Sequence, residues 1–301
     1  MSTSIDTAFI TSYNRKVHDV FQIAGSRLKP AVRFHSGVVG DTDVYQKIGT
    51  GVATTKARAG TITPMNQTHA APSATLVDFY AGDWCDRLDQ AKTNIDERDA
   101  IARGGAMALG RKVDNQILTA LDTTSQTAVT MTVTSFLAVK HAMVRMVGDL
   151  VRLGSYEDGR MYGVISPVTW ERLMDVDPFQ RAEYVGPDGM EFSKAVALGM
   201  PTYKYWLGVK WFAHNAVPGV GTATSKFFVW NKDAIGYSAG AAPGNLAGVQ
   251  ANETSVSADI TWHGDRHSYF INHVMSGGAV MIDDTGVIEG NTPDTTALAT
   301  S

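Results

Sequence analysis

Residues 97–122, ERDAIARGGAMALGRKVDNQILTALD, decide the fold. Ala102, Ala106, Leu109, Val113, Ile117 and Leu121 recur at helical spacing and form one apolar stripe. Just upstream, Asn94 can cap the helix and Glu97 can return the bond as a capping box. Asp96, Glu97 and Asp99 fall in the first turns and Arg111 and Lys112 later, an order that suits the helix dipole. The pattern predicts a helix from Ile95 to Leu121, about 40 Å long at the usual rise per residue. Gly104, Gly105 and Gly110 lie inside it, each costing about 1 kcal/mol relative to Ala. A helix with that burden is held by packing along its length, and its glycines mark a bend or a close approach.

On the N-terminal side, Val44 to Val77 contains no Asp or Glu. Lys47, Lys56 and Arg58 leave this stretch at +3 within a chain of net charge −4, so the remainder stands at −7. Its middle, GTGVATTKARAGTITP, is too poor in large apolar residues to build a core. Val44–Ile48 and Thr75–Tyr80 alternate as paired strands would, and the simplest picture is a long hairpin projecting from a body. A loop of this length without regular structure is functional or disordered. Earlier still, Phe9, Tyr13, Val17, Val20 and Phe21 share one face of a predicted helix from Asp6 to Ala24, which reads with the segment to His35 as an arm.

On the C-terminal side, Thr127–Val133 alternates as a strand. Phe136, Val139, Met143, Val147 and Leu150 make a second amphipathic helix that Gly154 closes. MYGVIS runs into Ser166 as N-cap and Pro167 at the first helical position. YKYWLGVKWFAHN and KFFVWN read as strands separated by the turn-rich PGVGTATS, and SVSADITWHG, SYFINHV and AVMIDD as further strands. The Thr/Ala/Asn tail after Gly290 is expected to fray. The order is mixed α+β, one long helix flanked by sheet segments.

Composition narrows the function. Of 301 residues 44% are hydrophobic and 19% charged, so a packed core is expected. The acidic balance argues against a protein whose task is gripping polyanions. With Cys85 the only cysteine, neither an intrachain disulfide nor a cysteine metal cage can form. The opening MSTSIDTAFI lacks the regions of a signal peptide, and no apolar run approaches the ~18 residues of a membrane span. A soluble product made in the cytoplasm, without a membrane partner, is the expectation.

Candidate chemistry is sparse. Asp284-Thr285-Gly286 matches the triplet of aspartic proteases, where two aspartates share a proton. The same residues favour a turn between strands on local grounds. His263 and His267 are four apart, with Asp265 between and His273 beyond, but Thr261, Trp262 and Tyr269 point to strand and turn, where that spacing does not converge two rings on zinc. Gly219 and Gly221 lack the third glycine of a dinucleotide loop, no Gly-x-Ser-x-Gly elbow exists, and Cys85 has no nearby base in sequence. No catalytic, cofactor-binding or metal-binding residue is expected, and no cofactor.

Taken in order, these segments resemble the major capsid proteins of tailed double-stranded-DNA phages, the Johnson fold. Residues 97–122 resemble their spine helix, whose L-G-x-x-x-D-x-x-[IL]-L pattern falls here on Leu109, Gly110, Asp114, Ile117 and Leu118. YGVISPVTWERLMD resembles the strand-to-helix step that opens their axial domain. GVKWFAHNAVP and FFVWNKDAIGYSAG resemble its closing strands and a following helix, and SYFINHVMSGGAVMIDDTGVIEG the closing peripheral strands. The resemblance implies an N-terminal arm (1–40), an extended loop hairpin (41–82), a peripheral domain with the spine helix (83–133), an axial domain (134–240) and a return to the peripheral domain with a tail (241–301). It implies self-assembly into pentamers and hexamers of an icosahedral shell enclosing double-stranded DNA without sequence-specific binding, and partnership with a portal. No long charged helical region precedes the arm, so a separate scaffolding protein is expected as well. Host cytoplasm would be the place of assembly and the virion the destination. Lys47, Lys56, Arg58, Ile62 and Met65 would contact a neighbouring subunit, and Gly104 and Gly105 would act as a hinge in the spine helix. Two alternatives share parts of this reading: an encapsulin-like compartment, and an aspartic-type hydrolase using Asp284.

Overall fold

A computed structural model describes residues 26–87, 97–174, 203–241 and 256–296. Its residues fall into two compact units: Met1–Ser26, Asp78–Lys112 and Ala241–Ser276 in the first, Arg27–Val77, Val113–Gly240 and Gly277–Ser301 in the second. The expected helix from Asp6 to Ala24 and the Asn94 cap lie outside the described residues.

The spine helix is α1 (Glu97–Leu121), its first part in the first unit and its last part in the second. Leu109, Val113, Ile117 and Leu121 are buried as the stripe predicts. Ala106 is exposed and Ala102 only partly covered, so the buried face is not the predicted one in the first turns. There Gly105, not Ala106, faces a strand: a Cβ at Gly105 would run into the His273 ring.

In the first unit, β13 (Val256–His263) pairs antiparallel with residues 268–275 of β14 (Ser268–Met281), and β6 (Val77–Asp86) also pairs with β14. The segments SYFINHV and AVMIDD are one continuous strand instead of two. Gly277 and Gly278 look like a break, but they permit close approach: a Cβ on Gly277 would meet Tyr237, and one on Gly278 the Thr75 carbonyl.

The second unit is built on a six-stranded sheet in the order β7-β15-β11-β8-β10-β9. These strands are β7 (Val129–Thr130), β8 (Met161–Ile165), β9 (Lys204–Trp206), β10 (Val209–Ala213), β11 (Ser225–Asn231) and β15 (Val287–Thr292). Helix α2 (Phe136–Arg152) packs Val139, Met143, Met146 and Leu150 against it, with Trp206, Trp211, Phe227 and Val229 in the same core. Ser135 caps α2, its hydroxyl accepting from the Ala138 N–H at 3.2 Å, and Gly154 closes it at φ +72°. Ser166 accepts from the Thr169 N–H at 3.1 Å and opens α3 (Pro167–Met174) as expected. β9 and β10 join through Leu207 and Gly208, both at positive φ, the geometry of a type I′ hairpin turn.

Two expectations are corrected. The segment FFVWNKDAIGYSAG contains no helix after the strand. The Asn231 side chain accepts from the Asp233 N–H at 3.1 Å, which makes a single 3₁₀ turn, and the chain continues as β12 (Ile235–Gly240). β12 pairs with residues 277–281 of β14 and, in parallel, with β1 (Arg33–Val38). Nor do the described residues after Gly290, 291–296, fray; the rest of the expected tail lies outside the described residues. β15 runs to Thr292, and the Arg172 guanidinium donates to the carbonyls of Pro293, at 2.8 Å, and Thr296, while Asp294 accepts from Ser166 at 3.0 Å.

Candidate functional site

The predicted hairpin exists in the second unit, with a register other than the expected one. β2 (Thr42–Val44) pairs with β5 (Ser73–Thr75), and β3 (Lys47–Ile48) with β4 (His69–Ala70). The partner of Val44–Ile48 is therefore His69–Ser73, while the predicted partner Thr75–Tyr80 mostly belongs to β6. Alternation marks both segments as strands but does not say which pairs with which.

The root of the hairpin is tied to the body by polar and aromatic contacts. Tyr45 is buried, its hydroxyl 2.8 Å from Ser238 Oγ and its ring stacked on His35 at 4.5 Å. A Cβ at Gly236 would strike that ring, so glycine makes room for it. Asp43 accepts from Ser238 at 2.6 Å and pairs with His35 at 2.9 Å. Burial pushes its carboxyl up, but the bonds from Ser238 and His35 outweigh this and hold it below the ordinary value. Lys47, expected at a subunit contact, forms an ion pair with Asp283 of its own chain at 2.7 Å.

Beyond Gly49 these ties end. The Gly49 N–H donates to Thr68, Thr54 to the Thr63 carbonyl and Gly60 to Ala57, which closes the tip. Met65 lies over Gly51, where a Cβ would strike its side chain. Ile62 and Val52 are 76% and 78% exposed, and Lys56 and Arg58 point into solvent beside them. Four of the five predicted contact residues (Lys56, Arg58, Ile62 and Met65) thus share the outer part of the hairpin, and Lys47 sits at its root.

Asp284 occupies a 3₁₀ turn, Asp284–Gly286, between β14 and β15, as a turn residue would. It does more than turn the chain. Its carboxylate accepts from Thr124 Oγ1 (2.8 Å), Ser125 N (2.9 Å), Ser125 Oγ (2.5 Å) and Gln126 Nε2 (2.9 Å), gathering the residues just past α1. Burial raises its pKa, yet these donors prevail and hold it below the ordinary carboxylate value. A proton-sharing aspartate needs a second carboxylate on its oxygens; the groups on these oxygens are hydroxyl, amide and peptide N–H. Neighbouring Asp283 is likewise held low, against burial, by Lys47 and Thr285.

The histidines spread along strand and turn. His263 ends β13 and stacks edgewise on Trp84 at 4.9 Å, His267 sits in the β13–β14 turn at φ +49°, and His273 is buried on β14 with Nδ1 3.3 Å from the Ala81 carbonyl. Among the described residues no three His, Cys, Asp or Glu converge as a metal site. Of the two predicted hinge glycines, only Gly105 meets His273; Gly104 has open space around it, in a cleft of about 250 Å³ lined by Ala81, Gly82, Asp83, Ile101 and Ala108.

One polar centre was not singled out as a site. Asp114, fully buried on α1, accepts from the backbone N–H groups of Arg27 (3.2 Å) and Leu28 (3.0 Å). His214 Nε2 is 3.1 Å away, and His214 Nδ1 accepts from the Ala216 N–H, so the ring proton sits on Nε2 and is donated to Asp114. The signal was legible: an aspartate inside the apolar half of a helix requires buried donors.

The described residues thus combine mixed sheets, a long helix and a hairpin that is anchored at its root and exposed in its outer part. The chain belongs to the phage capsid protein family, whose model matches residues 5–292. Solved capsids share its fold. A chain of the cyanophage P-SCSP1u capsid superposes with TM-score 0.68 at 13% identity, covering 97% of this chain and 95% of that one. A chain of the Ralstonia phage GP4 capsid gives 0.67 at 11%, covering 94% and 95%. One from the mature capsid of bacteriophage PhiM1 gives 0.66 at 11%, covering 94% and 92%. No curated protein sequence matches significantly. The protein is a major capsid protein of the tailed-phage type, a shell-forming subunit of the virion with the Johnson-type fold.

Proposed function

We propose that copies of this chain join as pentamers and hexamers of an icosahedral shell around packaged double-stranded DNA, through a hairpin that lies across a neighbouring subunit. One observation carries this. The hairpin is locked at its root, yet its outer part exposes Ile62 and Val52 with Lys56 and Arg58 alongside, on a segment with no core of its own. Ordering such a segment costs conformational entropy that contacts with a neighbour offset. Lys56 and Arg58 face acidic groups there; the region around Asp83, Asp86, Asp89, Asp96 and Glu97 is the nearest acidic cluster in sequence, of which Asp89 and Asp96 lie outside the described residues. Each exposed pair is worth only ~0–1 kcal/mol, but a closed shell repeats it at every contact. The rest of the chain, at −7, presents a wall that does not bind the genome tightly. A separate scaffolding protein and a portal complete the assembly in the host cytoplasm. The protein acts without catalysis. Gly104 is the hinge of the spine helix, since Gly105 already has a packing reason within the chain.

Lys56→Glu with Arg58→Glu tests the reading. The subunit stays folded and soluble, and the yield of empty shells falls, most strongly at high salt, where the remaining attraction is screened. Normal empty-shell yield refutes the clamp; normal shells that fail only in packaging DNA assign the two cations to the genome instead.

A further inference from the structure

Helix α2 has a second apolar row that no described residue covers. Val139, Met143, Met146 and Leu150 face the core. On the opposite side Leu137, Val144 and Val151 recur every seven residues and are 57%, 43% and 56% exposed. His141 and Gly148 fall between them, also exposed, so positions 137, 141, 144, 148 and 151 follow the alternating spacing of a helix seam. Gly148 adds an independent observation. A Cβ there would touch nothing within 4 Å, and its φ is not positive, so nothing among the described residues calls for glycine. A glycine inside a helix is unfavourable relative to alanine, and this one leaves a gap in the seam where another backbone can come close.

We infer that this seam seats a second copy of the chain, in a head-to-tail contact between second units. The inference rests on the shell-forming reading, which supplies many identical copies. Charge decides the geometry. α2 carries Lys140, Arg145 and Arg152 against the single carboxylate of Asp149. Pairing α2 with its own symmetry mate sets cations against cations, whereas Glu157, Asp158 and Glu171 are exposed elsewhere on the same unit. A seam meeting that other surface makes a heterologous contact, which closes into a ring when the rotation between copies closes.

The experiment uses the full chain expressed alone, with assembled and free fractions separated by sedimentation. Val144→Asp keeps the thermal melt of the free subunit and lowers the assembled fraction at least tenfold, while Val144→Leu assembles as wild type. Val144→Cys is then treated with a thiol reagent, Cys85 being buried. Labelling is at least tenfold slower in assembled material than in free subunits; with no other protein present, that protection identifies a second copy. Equal labelling in the two fractions overturns the seam whatever the yields, and so does normal assembly of Val144→Asp. If wild type forms no assembled fraction even when a crowding polymer stands in for the aid of a scaffold, the shell reading fails and the seam falls with it.

Discussion

The root and the outer part of the hairpin belong to one uninterrupted stretch, yet they are held in different ways. At the root, the polar side chains Asp43, Tyr45 and Lys47 each have a partner in the body of the same chain: Ser238 and His35, Ser238, and Asp283. Farther out, Gly49–Thr68 is held by a few bonds between its own two arms, and its large apolar residues face water. The difference teaches where the information for each part resides. The root is specified by the chain it belongs to; the outer part, on the proposed reading, is composed for a neighbour's surface.

Truncating the root gives the largest effect and the most direct way to break this comparison. Tyr45→Ala empties a buried aromatic site and leaves Ser238 without that partner, a loss of about 3–5 kcal/mol. Ile62→Ala, on the outer part, changes the free subunit by no more than about 0.5 kcal/mol. Denaturant unfolding of unassembled subunits measures both. Equal losses would mean that the outer part is bound to its own body and that the distinction fails.

Asp284→Asn sharpens the comparison at a second chain-specified anchor. Asn retains the turn but turns an amide donor toward a group of donors, at a cost of about 1–3 kcal/mol. The depressed pKa of Asp284 sets the pH dependence. A carboxyl lowered on folding contributes fully above its unfolded value, near 3.8, and loses that contribution as pH falls through the lower folded value. Wild type and Asp284→Asn therefore differ most near neutrality and converge in acid, read from unfolding midpoints across pH. Asp43 and Asp283 shift in the same direction, so acid loosens the hairpin root along with the Asp284 turn.

The elements legible in the sequence were those defined by local periodicity. The buried row of α2, the Ser166 cap and the last four positions of the α1 stripe are properties of a few consecutive turns. Partners distant in sequence were not legible. The register of the hairpin, the run of β14 through Gly277 and Gly278, and the anchoring of residues 291–296 by Arg172 and Asp294 all depend on contacts that no local pattern encodes. The exposed outer part of the hairpin was legible for a different reason: a run of Gly, Thr and Ala without acids stands out because it cannot stabilise itself. Asp114 was visible as a misplaced charge, but the backbone of Arg27 and Leu28 that it holds could be found only in three dimensions.

The adjacent glycines of α1 put the same contrast at the scale of one residue, and their expected effects are the smallest. Gly105 is specified by its own chain: a Cβ would come within 3.0 Å of His273 Cε1 and closer still to Nδ1. Gly104 has nothing within 4 Å to explain it. Gly104→Ala should therefore gain the helix-propensity difference, about 1 kcal/mol. Gly105→Ala gains the same amount but forces aside a buried ring that lies 3.3 Å from the Ala81 carbonyl, and overpacking of that kind costs about 1–3 kcal/mol. The net result is a loss of up to about 2 kcal/mol, and Gly105→Ala with His273→Ala recovers part of it, because removing the ring removes the clash. Unfolding of free subunits measures all three variants. Assembly then isolates the role of Gly104: if it is a hinge, Gly104→Ala yields a more stable subunit that forms early shells and expands slowly. Expansion at the wild-type rate would end the hinge proposal, and a stability loss in Gly104→Ala would show that the chain specifies this glycine too.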